Sequence, residues 1–380
     1  MYYLLRILIP LLLAVVVFSA ARYLDQNPIQ KVPEKQDTVM QEETQLQNPA
    51  EDLVYETEEA SAEETTVPTE AAQQEERFTL TFVGDCTFGA NASNSWAKSG
   101  FINIVGEDYG YPFRNVVSWF EQDECTFLNL EGPLTDTGKA AYKEHVFRGP
   151  TSYVKILEQN SVEAVTLANN HTLDYGQEGY ESTVDTLKNA GVSYVEQDNS
   201  CIFTTENGLT IGMYGAVYDH LDEQEITSGI AALRKQGCDL VIFAPHWGTE
   251  GAYRISPTQQ KLGHAAIDAG ADIVWGSHPH VLQPIEEYNN GIIYYSLGNF
   301  SFGGNGGPRD MDTALLQQEV IRAADGTVTL GELTILPASV SSVASWNNFQ
   351  PTPHEVGSKA YDRILQKLDG TWKGPDLPIE

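Results

Sequence analysis

The chain has 380 residues, enough for one large domain or two, and its 41% of hydrophobic residues is ordinary for a soluble globular protein. Its formal net charge of −31 argues against binding nucleic acid through a basic surface. The four cysteines form no CxxC pair, so a cysteine-based structural zinc site is excluded. We expect these cysteines to be buried free thiols.

The N-terminal segment carries one positive charge, Arg6, followed by an unbroken run of apolar or small residues at 7–21. These fifteen residues match the length of a signal-peptide core. The twenty residues at 2–21 are enough to cross a bilayer if Arg6 snorkels to the surface. We predict a signal-anchor at 1–25 that leaves the rest of the chain outside the cell membrane in a single pass. Cleavage after the small residues at 19–21, giving a secreted protein, is the alternative.

Residues 26–76 are predicted to be a disordered acidic linker. Twelve Asp and Glu residues and no Lys or Arg occur at 41–76, with Thr, Gln, Ala and Pro between them. Such a composition cannot bury enough apolar surface to offset the entropy of ordering, and its like charges keep the chain extended. The linker would then hold the folded part away from the membrane.

From residue 77 onward, apolar strand patterns alternate with helical patterns, which is typical of an α/β fold. Strands are predicted at 78–84, 125–130, 164–167, 192–195, 239–244, 271–275, 291–295 and 327–336, with a hairpin at 202–215. Helices are predicted at 152–159, 179–189, 226–235 and 256–270. We predict one domain at 77–340, followed by a peripheral C-terminal tail at 341–380 with a short helix at 359–368.

Five polar clusters directly follow predicted strands, and sites assemble at the carboxyl ends of strands in open α/β sheets. Their candidate side chains are Asp85, Glu131, Asn170 with His171 and Asp174, His246 with Glu250, and His278 with His280. Any one cluster alone is explained by a turn or a helix cap, but five in one domain are not. His278 and His280 stand one residue apart, so an extended segment would point both imidazoles the same way.

These side chains offer a mixed set of oxygen and nitrogen donors. Such a set fits one or two divalent transition ions better than Ca²⁺ or Mg²⁺, which prefer oxygen. A carboxylate such as Glu131 can bridge two ions about 3.5–4 Å apart, the spacing of hydrolytic two-metal sites. The sequence therefore predicts a metal centre built from strand ends.

Six motifs follow one another in the order GDxxxG, NLEGP, ANNHxxDxG, HWGxE, GSHPHxxQ and YSLGNFSF. In this order they resemble the bacterial capsule-synthesis CapA family, also called PGA_cap, across residues 78–337. That family is related to calcineurin-like metallophosphoesterases and is associated with poly-γ-glutamate capsule synthesis. The resemblance implies a four-layer α/β/β/α sandwich of the calcineurin-like metallophosphoesterase type.

The resemblance also implies roles for individual residues. It makes six residues ligands of one or two Mn, Fe or Zn ions: Asp85, Glu131, Asn170, His246, His278 and His280. It also implies that His171 faces the phosphate group of a substrate. Asp174 is expected to orient His171 and to raise its pKa, which would keep a proton available near neutral pH. Glu250 is expected to contact substrate or metal.

Two positions depart from the phosphoesterase pattern, since Thr87 replaces a His of the first motif and Glu131 an Asp of the second. Two functions therefore stay open. The first is a phosphoesterase-like hydrolase acting outside the membrane on an anionic capsule polymer or a cell-envelope intermediate. The second is a non-catalytic accessory subunit that works with other subunits of a polymer synthase or export complex. A binding module with a relict site is a third, less favoured alternative.

Overall fold

The computed structural model describes residues 75–93 and 100–378. The predicted signal-anchor at 1–25 lies outside the described residues, as does the predicted linker up to residue 74. Among the residues that are described, no helix is both long enough and apolar enough to cross a bilayer.

The described residues form short strands and helices in alternation. The strands are β1 (Glu76–Thr87), β2 (Ala90–Asn91), β3 (Cys125–Leu130), β4 (Phe147–Arg148), β5 (Ala164–Thr166), β6 (Ser193–Val195), β7 (Asn199–Thr204), β8 (Thr210–Val217), β9 (Leu240–His246), β10 (Ile273–Trp275), β11 (Ile285–Tyr288), β12 (Gly291–Tyr294), β13 (Asn299–Phe302), β14 (Asp312–Arg322), β15 (Val328–Ser339) and β16 (Thr352–Pro353). The helices are α1 (Phe101–Val105), α2 (Val117–Phe120), α3 (Val154–Glu158), α4 (Gly176–Ala190), α5 (Glu223–Lys235), α6 (Pro257–Asp268) and α7 (Lys359–Leu368), with 3-10 turns at Thr151–Tyr153 and Tyr218–His220.

Two mixed sheets hold most of these strands. The first has the order β16-β15-β14-β1-β3-β5-β6, with β13 paired to the end of β1, and the second has the order β11-β12-β10-β9-β8-β7. Strands β1, β3, β5 and β6 run parallel, as do β8, β9, β10 and β12. These parallel strands are covered on both faces, so they read in the sequence as nearly continuous apolar runs.

Three hydrophobic clusters define the layers. One lies between the sheets, where Phe82 stacks on Phe127 at 4.8 Å and the Trp275 indole donates to the Val83 carbonyl at 3.0 Å. A second packs helices α1 to α4 on the first sheet, and a third packs α5 and α6 on the second. This helix–sheet–sheet–helix order confirms the predicted four-layer α/β/β/α sandwich.

Local signals in the sequence explain where several helices begin and end. Ser256 and Gln259 form a capping box at the start of α6, with Pro257 in its first turn. Helix α4 ends at Gly191, whose φ of +73° is the left-handed conformation that glycine adopts without strain. All four cysteines are free thiols, as predicted; Cys86, Cys125 and Cys238 are buried, but Cys201 is only partly buried, contrary to the expectation.

Two parts of the fold differ from the prediction. Strand β14 was not predicted, although it is central between β1 and β15. Its apolar pattern is broken by Gln317 and Gln318, and the buried Gln318 accepts a hydrogen bond from Tyr294 at 2.9 Å. The predicted peripheral tail at 341–380 is in fact packed on the domain, since Ile364 and Leu368 of α7 are buried in the cluster between the sheets.

Candidate metal centre

The carboxyl ends of the parallel strands from both sheets meet at one edge of the sandwich. Asp85 lies near the end of β1 and Glu131 directly after β3. His246 is the last residue of β9 and forms a bridge with Ser277, just before His278. The structure thus brings the predicted site residues together from five separate segments of the chain.

Two fully buried carboxylates, Asp85 and Glu131, form the floor of this centre. The Asn129 amide donates to Asp85 Oδ1 at 2.9 Å and to Glu131 Oε2 at 3.2 Å. The side-chain amide of Asn169 in turn donates to the side-chain oxygen of Asn129, Oδ1, at 3.0 Å. This hydrogen bond fixes the orientation of the Asn129 amide. Both carboxylates are therefore held with one oxygen engaged and the other directed toward the histidines.

The first strand reaches this floor through a close backbone approach. A Cβ on Gly84 would lie 2.0 Å from the Gly298 carbonyl oxygen, so only glycine fits at that position. The next residue, Asp85, donates its backbone N–H to the same carbonyl at 2.8 Å. Thr87 donates to the Glu131 backbone carbonyl at 2.8 Å, so it ties β1 to the segment after β3 and supplies no imidazole.

The imidazoles close the centre from the second sheet. His280 Nδ1 lies 3.1 Å from Asp85 Oδ2, and its Nε2 lies 3.6 Å from Glu131 Oε1. His246 Nε2 lies 2.9 Å from the Asn170 amide oxygen, and the rings of His246 and His278 are 4.6 Å apart.

His278 and His280 reach the centre by a different backbone path from the extended one expected. Their φ angles are +96° and +56°, so both residues stand in left-handed or strained conformations rather than on a strand. Such conformations cost free energy in non-glycine residues and persist where surrounding contacts enforce them, often at functional sites. Both residues of the HxH pair lie at the candidate centre, but the i, i+2 alternation of an extended segment does not place them there.

Two kinds of observation show that the donor set fits a cation. The ligand atoms of Asp85, Glu131 and His246 all lie within 4.8 Å of one another, and so do those of Glu250, His278 and His280. Glu131 Oε1 and His278 Nδ1 are buried and have no hydrogen-bond partner among the described residues. Unpaired buried polar atoms are costly, and a bound cation would satisfy both.

The protonation states of His246 and His278 suit metal ligation, which requires neutral imidazole. Burial lowers the pKa of His278 to about 3 and lowers that of His246 well below its ordinary value. Burial raises the pKa of Glu131. Burial alone would lower the pKa of His280, but the Glu131 and Asp85 carboxylates outweigh it and raise that pKa. The centre therefore favours positive charge between its two carboxylates, where divalent ions would supply it.

His171 lies beside the carboxylate floor, with its Nε2 3.8 Å from Glu131 Oε1 and its ring stacked on Phe147 at 4.0 Å. Its Nδ1 is 2.7 Å from Asp174 Oδ2, which matches the predicted orienting contact. The predicted rise in the pKa of His171 is wrong. Burial lowers this pKa, and the contributions of Asp174 that raise it are smaller.

A lysine that the sequence did not single out completes this arrangement. Lys143 Nζ lies 2.5 Å from Asp174 Oδ1 and donates to the Asn170 backbone carbonyl at 2.9 Å. Lys143 belongs to the long loop between β3 and β4, so it is distant in sequence from all of its partners. No local pattern marks it, and only the fold brings it to the site.

A cavity of about 380 Å³ opens beside the centre. His171, His280 and Glu250 line its inner side. The fold and this candidate site together define a two-sheet α/β protein with a candidate metal centre at the carboxyl edge of its sheets.

The family described as bacterial capsule synthesis protein PGA_cap matches residues 79–304, which is more than half of the chain. The chain therefore belongs to this family. It is 31% identical over 301 residues to a protein named capsule biosynthesis protein CapA of Bacillus anthracis, which covers 72% of this chain and 71% of that protein.

Two further proteins are similar to this chain. The PGA biosynthesis protein CapA of Bacillus subtilis (strain 168) is 29% identical over 322 residues, covering 78% of this chain and 80% of that protein. The solved structure of the Haemophilus influenzae NAD nucleotidase is 11% identical, with a TM-score of 0.41, and covers 78% of this chain and 63% of that chain.

Proposed function

We propose that this protein is a membrane-anchored, extracellular hydrolase that serves capsule or poly-γ-glutamate biosynthesis through a metal-dependent, phosphoesterase-like site. Membership of the PGA_cap family supports the proposed role in capsule biosynthesis. The apolar run at 7–21 supports the anchor and the location. One observation carries the activity: two groups of potential ligands share a buried edge with His171 beside them.

The residues of the proposed site fall into two groups, the metal ligands and the residues that take part in proton transfer. Six would hold one or two Mn, Fe or Zn ions: Asp85, Glu131, Asn170, His246, His278 and His280. Glu250 lies with His278 and His280 and would either join them or contact the substrate. A divalent ion at such a site lowers the pKa of a water molecule and offsets the charge that develops on a phosphoryl group.

His171 is the proposed acid–base catalyst. Because carboxylates accept hydrogen bonds, Asp174 holds the proton of the imidazole on Nδ1 and leaves the Nε2 lone pair toward the centre. With its pKa lowered by burial, His171 rests neutral, so Nε2 would accept a proton from the attacking water and then supply a proton to the leaving group. Lys143 fixes Asp174 and thereby positions the ring.

The proposed substrate is a phosphoester of an anionic capsule polymer or of a cell-envelope intermediate. A site outside the membrane would meet either one as it is exported, and other subunits of a polymer synthase are the proposed protein partners. The net charge of −31 opposes contact with a polyanion unless bound metal offsets it.

A second candidate function is that of a non-catalytic accessory subunit of a synthase or export complex. The observation that favours it is Thr87, which stands where phosphoesterases have a histidine and whose hydroxyl is engaged with a backbone carbonyl. One imidazole of the expected ligand set is therefore replaced at this position.

Hydrolysis of bis(p-nitrophenyl) phosphate by the full chain in detergent separates the two candidates. We expect turnover that a chelator abolishes and Mn²⁺ restores. Asp85→Asn should abolish it because a buried carboxylate ligand is lost. Asp325→Asn removes the same charge from an exposed turn and should have no effect. Metal binding without turnover in the wild type would contradict the hydrolase and support the accessory subunit.

A further inference from the structure

The cavity beside the metal centre has one wall that comes from the C-terminal end of the chain. His171, His280 and Glu250 line the inner side, while Leu377 and Pro378 line the outer side. The family match ends at residue 304, so these two residues lie more than seventy positions beyond it. The wall is therefore a feature of this chain beyond the matched region.

The C-terminal segment is fastened to the loop that follows Glu250. Leu377 donates its backbone N–H to the Gly251 carbonyl at 2.9 Å. Asp376 accepts from the Tyr253 backbone N–H at 3.0 Å and from the Arg254 guanidinium at 2.9 Å. A Cβ on Gly251 would lie 2.9 Å from Leu377 Cβ, so the segment packs directly on the backbone next to Glu250.

The same segment is also fastened to a second loop that lines the cavity. Arg309 donates to the Pro378 carbonyl at 3.0 Å. The adjacent Asp310 pairs at 2.6 Å with Lys367, a buried lysine of α7, and accepts from the Tyr253 hydroxyl at 2.9 Å. Contacts with both loops, the one after Glu250 and the one that contains Arg309, therefore hold Leu377 and Pro378 in place at the cavity.

The lining of the cavity carries no excess of positive charge that would attract a polyanion. Besides the site histidines His171 and His280, its ionisable groups are the carboxylates Glu144, Glu250 and Asp310 and the basic side chains Arg309 and His145. The three carboxylates outnumber the positive charges of Arg309 and His280, the histidine whose pKa is raised. The rest of the lining combines apolar surface with side-chain amides, such as Phe147, Phe302, Leu377, Asn91 and Asn299. Apolar surface with a few placed polar groups is typical of pockets for small molecules, and 380 Å³ falls within their range.

We propose that Leu377 and Pro378 are specificity residues, and that the cavity takes the esterified group of a phosphoester when that group is compact and uncharged, as a sugar is. This rests on the proposed hydrolase and names its substrate class. The small-molecule intermediate is then the substrate, and the anionic polymer is not. Aromatic and apolar walls would contact the carbon faces of the sugar, and the amides would bind its hydroxyls.

The test compares the binding of inorganic phosphate and α-glucose 1-phosphate to the Mn²⁺-loaded full chain by calorimetry. Phosphate binding reports on the metal centre, and the ratio of the two dissociation constants reports on the cavity. We expect wild type to bind glucose 1-phosphate about 10-fold more tightly than phosphate, the scale of a few pocket contacts. Leu377→Trp fills the cavity and should bring the ratio close to one. Val356→Trp adds the same ring to an exposed C-terminal position, 84% accessible, and should keep the wild-type ratio.

Each outcome decides between defined alternatives. Asp376→Ala, which releases the segment from Tyr253 and Arg254, should also lower the ratio and serves if Leu377→Trp does not fold. Phosphate binding with the wild-type ratio in both variants would overturn the role of the C-terminal wall and leave the hydrolase standing. No binding of either ligand by the loaded wild type would contradict the hydrolase and overturn this inference with it.

Discussion

His171→Ala is expected to lower phosphodiester hydrolysis by about 10²- to 10⁴-fold, the usual contribution of general acid–base catalysis. The imidazole contacts Asp174 through Nδ1 and lies 3.8 Å from Glu131 through Nε2, so its free nitrogen faces the centre. The six proposed ligands do not include it. The variant should therefore keep the metal content of the wild type.

The measurement pairs the turnover number with metal content for wild type, His171→Ala and His264→Ala. His264 stacks on Tyr288 and bonds to Glu286 on the outside of the second sheet, so its variant controls for loss of an imidazole. We expect its turnover to match the wild type. If His171→Ala loses metal together with activity, His171 is a ligand and the catalytic role assigned to it is wrong.

Lys367→Met is expected to destabilise the domain by about 3–5 kcal/mol, the cost of removing one partner from a buried ion pair. Lys367 is 3% exposed and lies 2.6 Å from Asp310 and 2.7 Å from Asp312. Without the ammonium group, Asp312 keeps Arg363 as a partner, but Asp310 loses its buried cation.

Urea unfolding of the full chain measures this effect. Lys359→Met removes the same charge from an exposed position at the start of the same helix. Its free energy of unfolding should stay within about 0.5 kcal/mol of wild type, as is usual for surface substitutions. Equal stability of the two variants would show that the ion pairs of Lys367 do not hold α7 to the sheet.

The parts of the fold that could be predicted are those whose local pattern agrees with their environment. The buried strands β3, β9 and β10 are mostly apolar runs, and helix α6 carries its own capping box. Strand β14 was missed because its apolar pattern is interrupted by Gln317 and Gln318, and Gln318 is buried through a hydrogen bond across the two sheets. The helix of the C-terminal segment was predicted, but its packing on the domain was missed because the polar composition hides Lys367, which is buried through long-range ion pairs.

The residues of the candidate site also fall into those that could be predicted from the sequence and those that could not. Residues at strand ends could be predicted, since parallel strands bring their carboxyl ends to one edge. Lys143 and Leu377 could not, because long loops return them to the site from distant parts of the sequence. The pKa of His171 was predicted in the wrong direction because its depth of burial depends on packing against Phe147, which no motif records.

The central claim is that the strand-end residues form a metal centre, and metal content tests it most directly. Elemental analysis of the purified full chain after incubation with Mn²⁺ or Zn²⁺ should find one or two ions per chain in wild type and in His264→Ala. The double variant His278→Ala/His280→Ala should lose most of that metal while staying folded. Unchanged stoichiometry in the double variant would contradict the metal centre described above.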